Sequence, residues 1–492
     1  MIALALPALQ DLTLAGLAHF VIGVTLSLHV LLNKHRPVSA VLWLAALWTF
    51  PFVGAFVYLC FGVDQVERGA AARVACRRLQ RERGLPVATG ARAPLAATPG
   101  TPAAGRGVEI LDVTNRGRRP LAGMGGNDVR LLVDGDEFYP ALHDAIASAR
   151  DSIHLQSFII ARDATGRELV EHLAARARDG VTVRLLYDRF GSTYAHYSTT
   201  FRPARKAGVE VASISHASPL RGRFQVNLRN HRKAAVIDGR VGFTGGINVG
   251  DLNLSSRAGG EPIRDYHLFV TGPAVSELQL QFVADWSFAS GEPPEDLVLE
   301  RYFPAQGRSG DALVNVVPGG PYSGGQALTD LLFAAIGAAT TSLRVVTPYF
   351  VPNEPILQAI RAAALRGVDT RLVVPRLSNH WYVDYAARSL YTALLESGVR
   401  IFERKPPFSH AKALVVDESY AVLGSPNLDY RSLHLNFETA VEVVEPSFLA
   451  RLNEQIAREL AHSVEVALDA HRARPMARRL AENFCYLFQP LL

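Results

Sequence analysis

One eighteen-residue pattern occurs twice in this 492-residue chain, and it constrains the fold more than any other feature. The first copy, HRKAAVIDGRVGFTGGIN, covers residues 231–248. The second, HAKALVVDESYAVLGSPN, covers residues 410–427. Each has a His, a Lys two positions on, an Asp seven on and an Asn seventeen on. The surroundings repeat as well. The fragment ARDGVTVRLL ends at Leu186 and its counterpart ALRGVDTRLV ends at Val373. Their glycines, Gly180 and Gly367, are 187 residues apart, and the motif histidines 179 apart. Such matched offsets mark duplication of a whole domain.

Apolar periodicity predicts the same element order in both halves. Strands over about 129–133, 152–160 and 181–188 alternate with helices over 139–150 and 169–178. In the second half, strands over 342–350 and 368–375 alternate with helices over 327–338 and 356–366. Alternation of this kind predicts an α/β fold in which each half carries a mixed β-sheet flanked by helices, the two related by a pseudo-two-fold. The short apolar runs AAVI and ALVV inside the motifs fit central strands. First and second domains are expected over 126–305 and 306–492.

The first 65 residues have a different character. Residues 12–32 form an apolar run of about bilayer length at 1.5 Å per residue. A polar break, NKHRP, separates it from a second apolar run over 38–62. A two-helix transmembrane hairpin is expected. The first run has no basic segment before it and no small-residue cleavage site before the second, so a cleaved signal peptide fits less well. His19 and His29 lie within it and are read as packing residues. Lys34 and Arg36 occupy the turn, whereas Arg68, Arg73, Arg77, Arg78, Arg81 and Arg83 follow the second run. The larger basic count places the following part in the cytoplasm, with the turn outside. Residues 66–125, basic and rich in Pro, Gly and Ala, read as a linker. Net charge is +5, which suits an anionic partner, either lipid or nucleic acid. The three cysteines, Cys60, Cys76 and Cys485, are too few and too scattered for a disulfide framework or a zinc site.

On a strand, residues two apart share a face, so His231 and Lys233 are expected side by side, as are His410 and Lys412. Two halves brought together then offer two imidazoles, two ammonium groups and the amides of Asn248 and Asn427. A phosphodiester resists attack because its oxygens are negative. Lysines and asparagines relieve that charge, one imidazole attacks phosphorus, and the other protonates the departing alkoxide. No metal or other cofactor is required. A histidine used this way needs a carboxylate on its other nitrogen. Asp265, downstream of His231, and Glu438, downstream of His410, are the candidates, one in each half. Asp238 and Asp417 complete the motifs and are expected to face away from the phosphate as braces. Gly245, Gly246, Gly424 and Ser425 are small enough either to admit the phosphate to the backbone or simply to turn the chain.

These residues resemble the H-x-K-x4-D motifs of the phospholipase D superfamily, and most closely those of bacterial cardiolipin synthases. The resemblance spans nearly the whole chain: Arg36-Pro37, Pro51 and Phe61-Gly62 in the hairpin, RNHRK at 229–233, GGIN at 245–248, TPYFVP at 347–352, GSPNLDYRS at 424–432 and NFE at 436–438. It implies phosphatidyl transfer between two phosphatidylglycerol molecules, giving cardiolipin and glycerol at the inner membrane of a bacterial cell. It assigns His231 as nucleophile and His410 as acid and base, with His231, Lys233, Asp238, His410, Lys412 and Asp417 as the catalytic set, and Asn248, Asn427, Gly246 and Ser425 supporting the phosphate. Departures lie at Gln156 and Ser157, where an acidic residue is common, and at Asn379, where Asp is common. The alternatives are a phospholipase D-type hydrolase, a nuclease, which the hairpin disfavours, and a non-catalytic lipid-binding membrane protein. Anionic membrane lipids are the expected partners and nucleic acid is not. The basic, apolar C-terminal tail over 472–492 is expected either on a membrane surface or packed on the domain.

Overall fold

The computed structural model describes residues 14–34, 37–50, 52–62, 67–86, 102–115, 124–214, 217–218, 223–224, 228–320 and 326–491. Arg36 and Pro51 lie outside them. The chain separates into two units, one of residues 1–65 with 215–227 and one of residues 66–214 with 228–492.

In the smaller unit, α1 (Leu14–Asn33) is the one described helix long and apolar enough to cross a membrane. The second apolar run is not the single helix expected over 38–62. It divides into α2 (Pro37–Thr49), α3 (Val53–Val57) and a π-helical turn, Tyr58–Gly62. The physical reason lies in the sequence: the proline at 51 has no N–H for the helical ladder. Phe52, which follows it, has a φ of 59°. The pieces still pack on α1. Trp48 Nε1 donates to Ser27 Oγ at 3.0 Å, His29 Nδ1 meets the Tyr58 hydroxyl at 2.8 Å, and Val30, Leu47, Ala55 and Tyr58 are buried together.

The larger unit is built on a fifteen-stranded sheet. The first half contributes β1 (Met124–Val133), β2 (Ser152–Ser157), β3 (Thr182–Asp188), β4 (Glu210–Ile214), β5 (Ala234–Ile237), β6 (Val241–Gly245) and β7 (Tyr266–Thr271). The second contributes β8 (Ala312–Gly319), β9 (Ser342–Val346), β10 (Asp369–Pro375), β11 (Arg400–Arg404), β12 (Ala413–Val416), β13 (Tyr420–Gly424), β14 (Glu438–Val444) and β15 (Ser463–Glu465). Strands β1 and β8 pair antiparallel at the centre. Outward from β1 the order is β7, β6, β5, β2, β3, β4; outward from β8 it is β14, β13, β12, β9, β10, β11, with β15 added at the edge. The duplicated sequence thus becomes a duplicated half-sheet. Strands β2–β3 and β9–β10 are parallel pairs joined through the helices Ala164–Arg178 and Glu354–Leu365. Burial on both faces accounts for the unbroken apolar runs at β5 and β12.

The segment read as a linker contains two packed helices, α4 (Glu67–Glu82) and α5 (Pro102–Asn115). Arg73 and Arg77 of α4 reach the buried Glu277 carboxylate at 2.9 and 2.6 Å. Ile110 and Leu111 of α5 enter the core of the second half. Gly107 allows that approach, because a Cβ there would lie 2.2 Å from the Ser419 carbonyl oxygen.

Arg232, fully buried between the motif His and Lys, locks the seam. Its Nε donates to the Glu438 carbonyl at 2.9 Å and its Nη2 to the Gly319 carbonyl at 2.7 Å, while Nη1 forms an ion pair with Asp285. Asp285→Ala removes a carboxylate from that buried guanidinium, and loss of about 3–5 kcal/mol of stability is expected in a denaturant titration.

Candidate active site

Both motif histidines sit at the seam between the halves. Neither His–Lys pair lies within a strand, contrary to expectation: β5 begins one residue after Lys233 and β12 one residue after Lys412. The segments before the strands are extended and hydrogen-bonded across the seam. His231 N–H donates to the Phe437 carbonyl at 2.9 Å, and Phe437 N–H to the Arg229 carbonyl at 2.9 Å. By pseudo-symmetry, His410 N–H donates to the Arg264 carbonyl at 2.7 Å, and Arg264 N–H to the Phe408 carbonyl at 3.0 Å.

Those bridges cross the carboxylates. Phe437 precedes Glu438 and Arg264 precedes Asp265, so each histidine meets the acid of the opposite half. His231 Nδ1 is 3.0 and 3.1 Å from the two Glu438 oxygens, and His410 Nδ1 is 2.7 Å from Asp265 Oδ2. The sequence located both carboxylates but offered them half by half; their partners are exchanged. With each Nδ1 turned to a carboxylate, Nε2 is the nitrogen left to face a phosphate.

The lysines lie deeper. Lys233 Nζ donates to the His231 carbonyl at 2.7 Å, and Lys412 Nζ bonds the His410 carbonyl and stands 4.0 Å from Asp265 Oδ2. Burial pulls Lys233 down to about 7, against the raising effect of Glu438. Burial pulls Lys412 down to about 8, against Asp265 and Glu438. Burial lowers both histidines too, so they rest as neutral imidazoles; Glu438 opposes the shift at His231 and Asp265 at His410. Burial pushes the two carboxyls upward, but His231 at Glu438, and Lys412 with His410 at Asp265, outweigh it and keep both ionised.

Asn248 and Asn427 each follow a motif histidine by seventeen residues. Asn248 Oδ1 accepts the Ile159 N–H at 3.3 Å, and the Asn427 Oδ1 is buried without a partner among the described residues. The small residues between Asp and Asn make room for the carboxylates. A Cβ on Gly246 would lie 2.1 Å from Asp265 Oδ1. At the equivalent position, the Ser425 hydroxyl donates to Glu438 Oε2. Gly245 admits the Tyr266 carbonyl and Gly424 the Thr439 carbonyl, each within 2.6 Å of where a Cβ would stand.

Asp238 and Asp417 touch neither histidine. Asp238 accepts the N–H groups of Arg150, Asp151 and Ser152 at 2.8–2.9 Å. Asp417 accepts those of Thr340, Thr341 and Ser342 at 2.8–3.1 Å, and Arg106 Nε at 3.0 Å. Each clasps the start of the neighbouring antiparallel strand, β2 or β9, to its own hairpin turn. Sequence reasoning missed the aromatic walls: Phe158 packs edge-on against His231 at 4.9 Å, and Tyr349 and Phe408 lie 6.2 and 5.9 Å from His410. Their signal was the aromatic residue just after β2 and in TPYFVP. Elsewhere, His143, Glu168 and His172 gather with metal-ligand spacing on helices away from the motifs, and Glu168 there is held by Arg257 at 2.7 Å.

The chain is similar to known proteins over most of its length. A family model described as "Cardiolipin synthase, PLD-like domain" matches residues 142–286 and 332–460, and one described as "Phospholipase_D-nuclease N-terminal" matches residues 21–62. A cardiolipin synthase of Alkalihalophilus pseudofirmus is 34% identical over 464 residues, 94% of this chain and 90% of that protein. Cardiolipin synthase A of Pseudomonas fluorescens is 34% identical over 488 residues, 97% of this chain and 98% of that one. Among solved structures, phosphatidylserine synthase of Haemophilus influenzae aligns with 74% of this chain and 95% of its own, at a TM-score of 0.57 and 15% identity, and shares the fold.

Two outcomes are expected. Lys233 and Lys412 lose their protons as pH rises through about 7 and 8, so competitive inhibition by tungstate, a phosphate mimic, weakens by about tenfold between pH 6.5 and 9. In Glu438→Gln, loss of the carboxylate removes the group that raises the His231 pKa; NMR of labelled histidines shows His231 titrating lower still, with His410 moved less.

Proposed function

The chain belongs to the phospholipase D-like cardiolipin synthase family, and on that premise we propose that it transfers a phosphatidyl group from one phosphatidylglycerol molecule to another, releasing glycerol and forming cardiolipin. The observation that carries this reading is the pair of neutral histidines at one seam, each backed by the carboxylate of the other half.

The steps follow from the geometry. The donor phosphodiester lies between the histidines, its oxygens facing the two lysines and two asparagines. His231 Nε2 attacks phosphorus, and the bond from phosphorus to the glycerol oxygen breaks. His410 takes up a proton on Nε2 as the anionic phosphodiester binds, passes it to the departing glycerol oxygen and returns to the neutral imidazole. The phosphatidyl group is then held on His231 by a P–N bond. A hydroxyl of the second phosphatidylglycerol gives its proton to His410 and attacks phosphorus; the P–N bond breaks and cardiolipin departs. Glu438 and Asp265 hold each ring in one tautomer and stabilise the positive charge each imidazole acquires. The assignment of His231 rather than His410 as nucleophile follows the family resemblance. Lys233 and Lys412 are proposed as oxyanion stabilisers, and Asp238 and Asp417 as positioning residues.

A membrane is where such substrates are found, and the chain is membrane-associated through its apolar N-terminal segment. In our reading both apolar runs enter the bilayer as a hairpin, with the catalytic unit on the cytoplasmic side of a bacterial inner membrane. The arginines after residue 66, set against Lys34 and Arg36 in the turn, support that orientation.

The test is incubation of the purified full-length protein in detergent with labelled phosphatidylglycerol. Cardiolipin and glycerol are expected in equal amounts, and phosphatidic acid as the sole product would refute the transferase reading. His231→Ala and His410→Ala should each lower the rate by about 10⁴-fold.

A further inference from the structure

The pseudo-two-fold that equates the halves is broken at the rim of the site. Arg229 lies two residues before His231, and its counterpart two before His410 is Phe408. Arg431 lies four residues after Asn427, and its counterpart four after Asn248 is Leu252. The backbone shows that these are equivalent places. The carbonyls of Arg431 and Arg229 accept from the consecutive amides of Asn436 and Phe437, at 2.8 and 2.9 Å. Those of Leu252 and Phe408 accept from the consecutive amides of Ile263 and Arg264, at 2.9 and 3.0 Å. One rim therefore sets two arginines side by side, one from each half. The other sets a phenylalanine beside a leucine that is 61% exposed.

Position and surroundings give the arginine rim a chemistry. In the extended segment before β5, residues 229, 231 and 233 share a face. Exposure increases outward along it: Lys233 is 2% exposed, His231 8%, and Arg229 half-buried. The arginines thus stand above the reacting phosphate rather than at it. The Arg229 guanidinium lies 4.3 Å from the centre of the Phe190 ring, which is itself 65% exposed. Asp188 and Asp429 supply negative charge nearby. Both carboxylates also accept backbone amides, Asp188 from Phe190, Gly191 and Asn230 and Asp429 from Ser432. Burial depresses both guanidiniums; at Arg229 the charge of Arg431 adds to the effect while Asp188 opposes it. Asp188 acts on both guanidiniums and Asp429 on Arg431, and since a guanidinium keeps its proton and carries five donors, two set side by side offer donors to an arriving anion beyond those the carboxylates take.

We propose that Arg229 and Arg431 form a second phosphate subsite, which takes the phosphodiester of the acceptor lipid while the donor phosphodiester occupies the histidine–lysine centre. This rests on the reading above: joining two phosphatidylglycerols requires two phosphodiesters one glycerol apart, and the motif residues provide for one of them. A neutral alcohol acceptor has no phosphate and does not use the rim.

The experiment sets ethanol against the second lipid. Full-length protein in detergent is given phosphatidylglycerol and ethanol, and the ratio of phosphatidylethanol to cardiolipin is measured. Arg431→Gln should raise that ratio by about tenfold or more, through loss of cardiolipin rather than of phosphatidylethanol. Arg431→Lys, which keeps the charge without the fork, should fall between. An unchanged ratio, whether both products persist or both fall together, would overturn the subsite while leaving cardiolipin synthesis standing. A wild-type protein that makes phosphatidylethanol and no cardiolipin would overturn the synthase reading and the subsite with it.

Discussion

The structure depends on the exchange of carboxylates across the seam. A histidine that attacks phosphorus must be neutral before the reaction and able to bear charge during it. Burial alone secures the first condition and works against the second. Glu438 beside His231 and Asp265 beside His410 restore the second, because a buried carboxylate stabilises imidazolium as it forms. Each carboxylate in turn is costly to bury unless paired. Since each pair draws one member from each half, neither half has a satisfied interior alone. The central β1–β8 pairing and the Arg232 cross-link bring the halves into the register that the pairs require.

The pattern accounts for residue types that seem indifferent by themselves. Gly246 and Ser425 occupy one motif position. Where the carboxylate is the short Asp265, the glycine lets it in; where it is the longer Glu438, a hydroxyl fits and donates to it. Asp238 and Asp417, at the far end of each motif, receive three successive backbone amides and hold the turn at a positive φ, 52° and 50°. The H-x-K-x4-D spacing is thus the length of one short strand, with chemistry at its beginning and a clasp at its end.

Much of this was legible in the sequence, for a physical reason. Duplication doubles every local signal, so weak strand and helix patterns gained support from their copies, and the matching order of elements along the two halves followed. The crossing of Asp265 and Glu438 was not legible, because periodicity describes which residues share a face of one strand and not which strands meet across a seam. The same limit hid the aromatic walls. The division of the second apolar run was signalled only by Pro51 within a hydrophobic stretch. Residues 66–125 looked like a tether because their composition is low in large apolar side chains, yet Ile110 and Leu111 suffice to seat a helix when Gly107 lets its backbone close on the sheet.

Symmetry explains the chemistry and cannot by itself explain the reaction. Two equivalent halves suit a step in which one imidazole gives up a proton as the other forms a bond, since the same pair serves the step in reverse. Donor and acceptor, however, arrive differently, one losing its head-group alcohol and the other keeping its phosphate. Something must distinguish them, and the histidine, lysine, asparagine and carboxylate positions are too alike to do so. The distinction is carried one layer out, where the duplicated backbone is retained and the side chains diverge: Arg229 and Arg431 on one rim, Phe408 and Leu252 on the other. A duplicated fold can keep its reaction centre symmetric because its rims are free not to be.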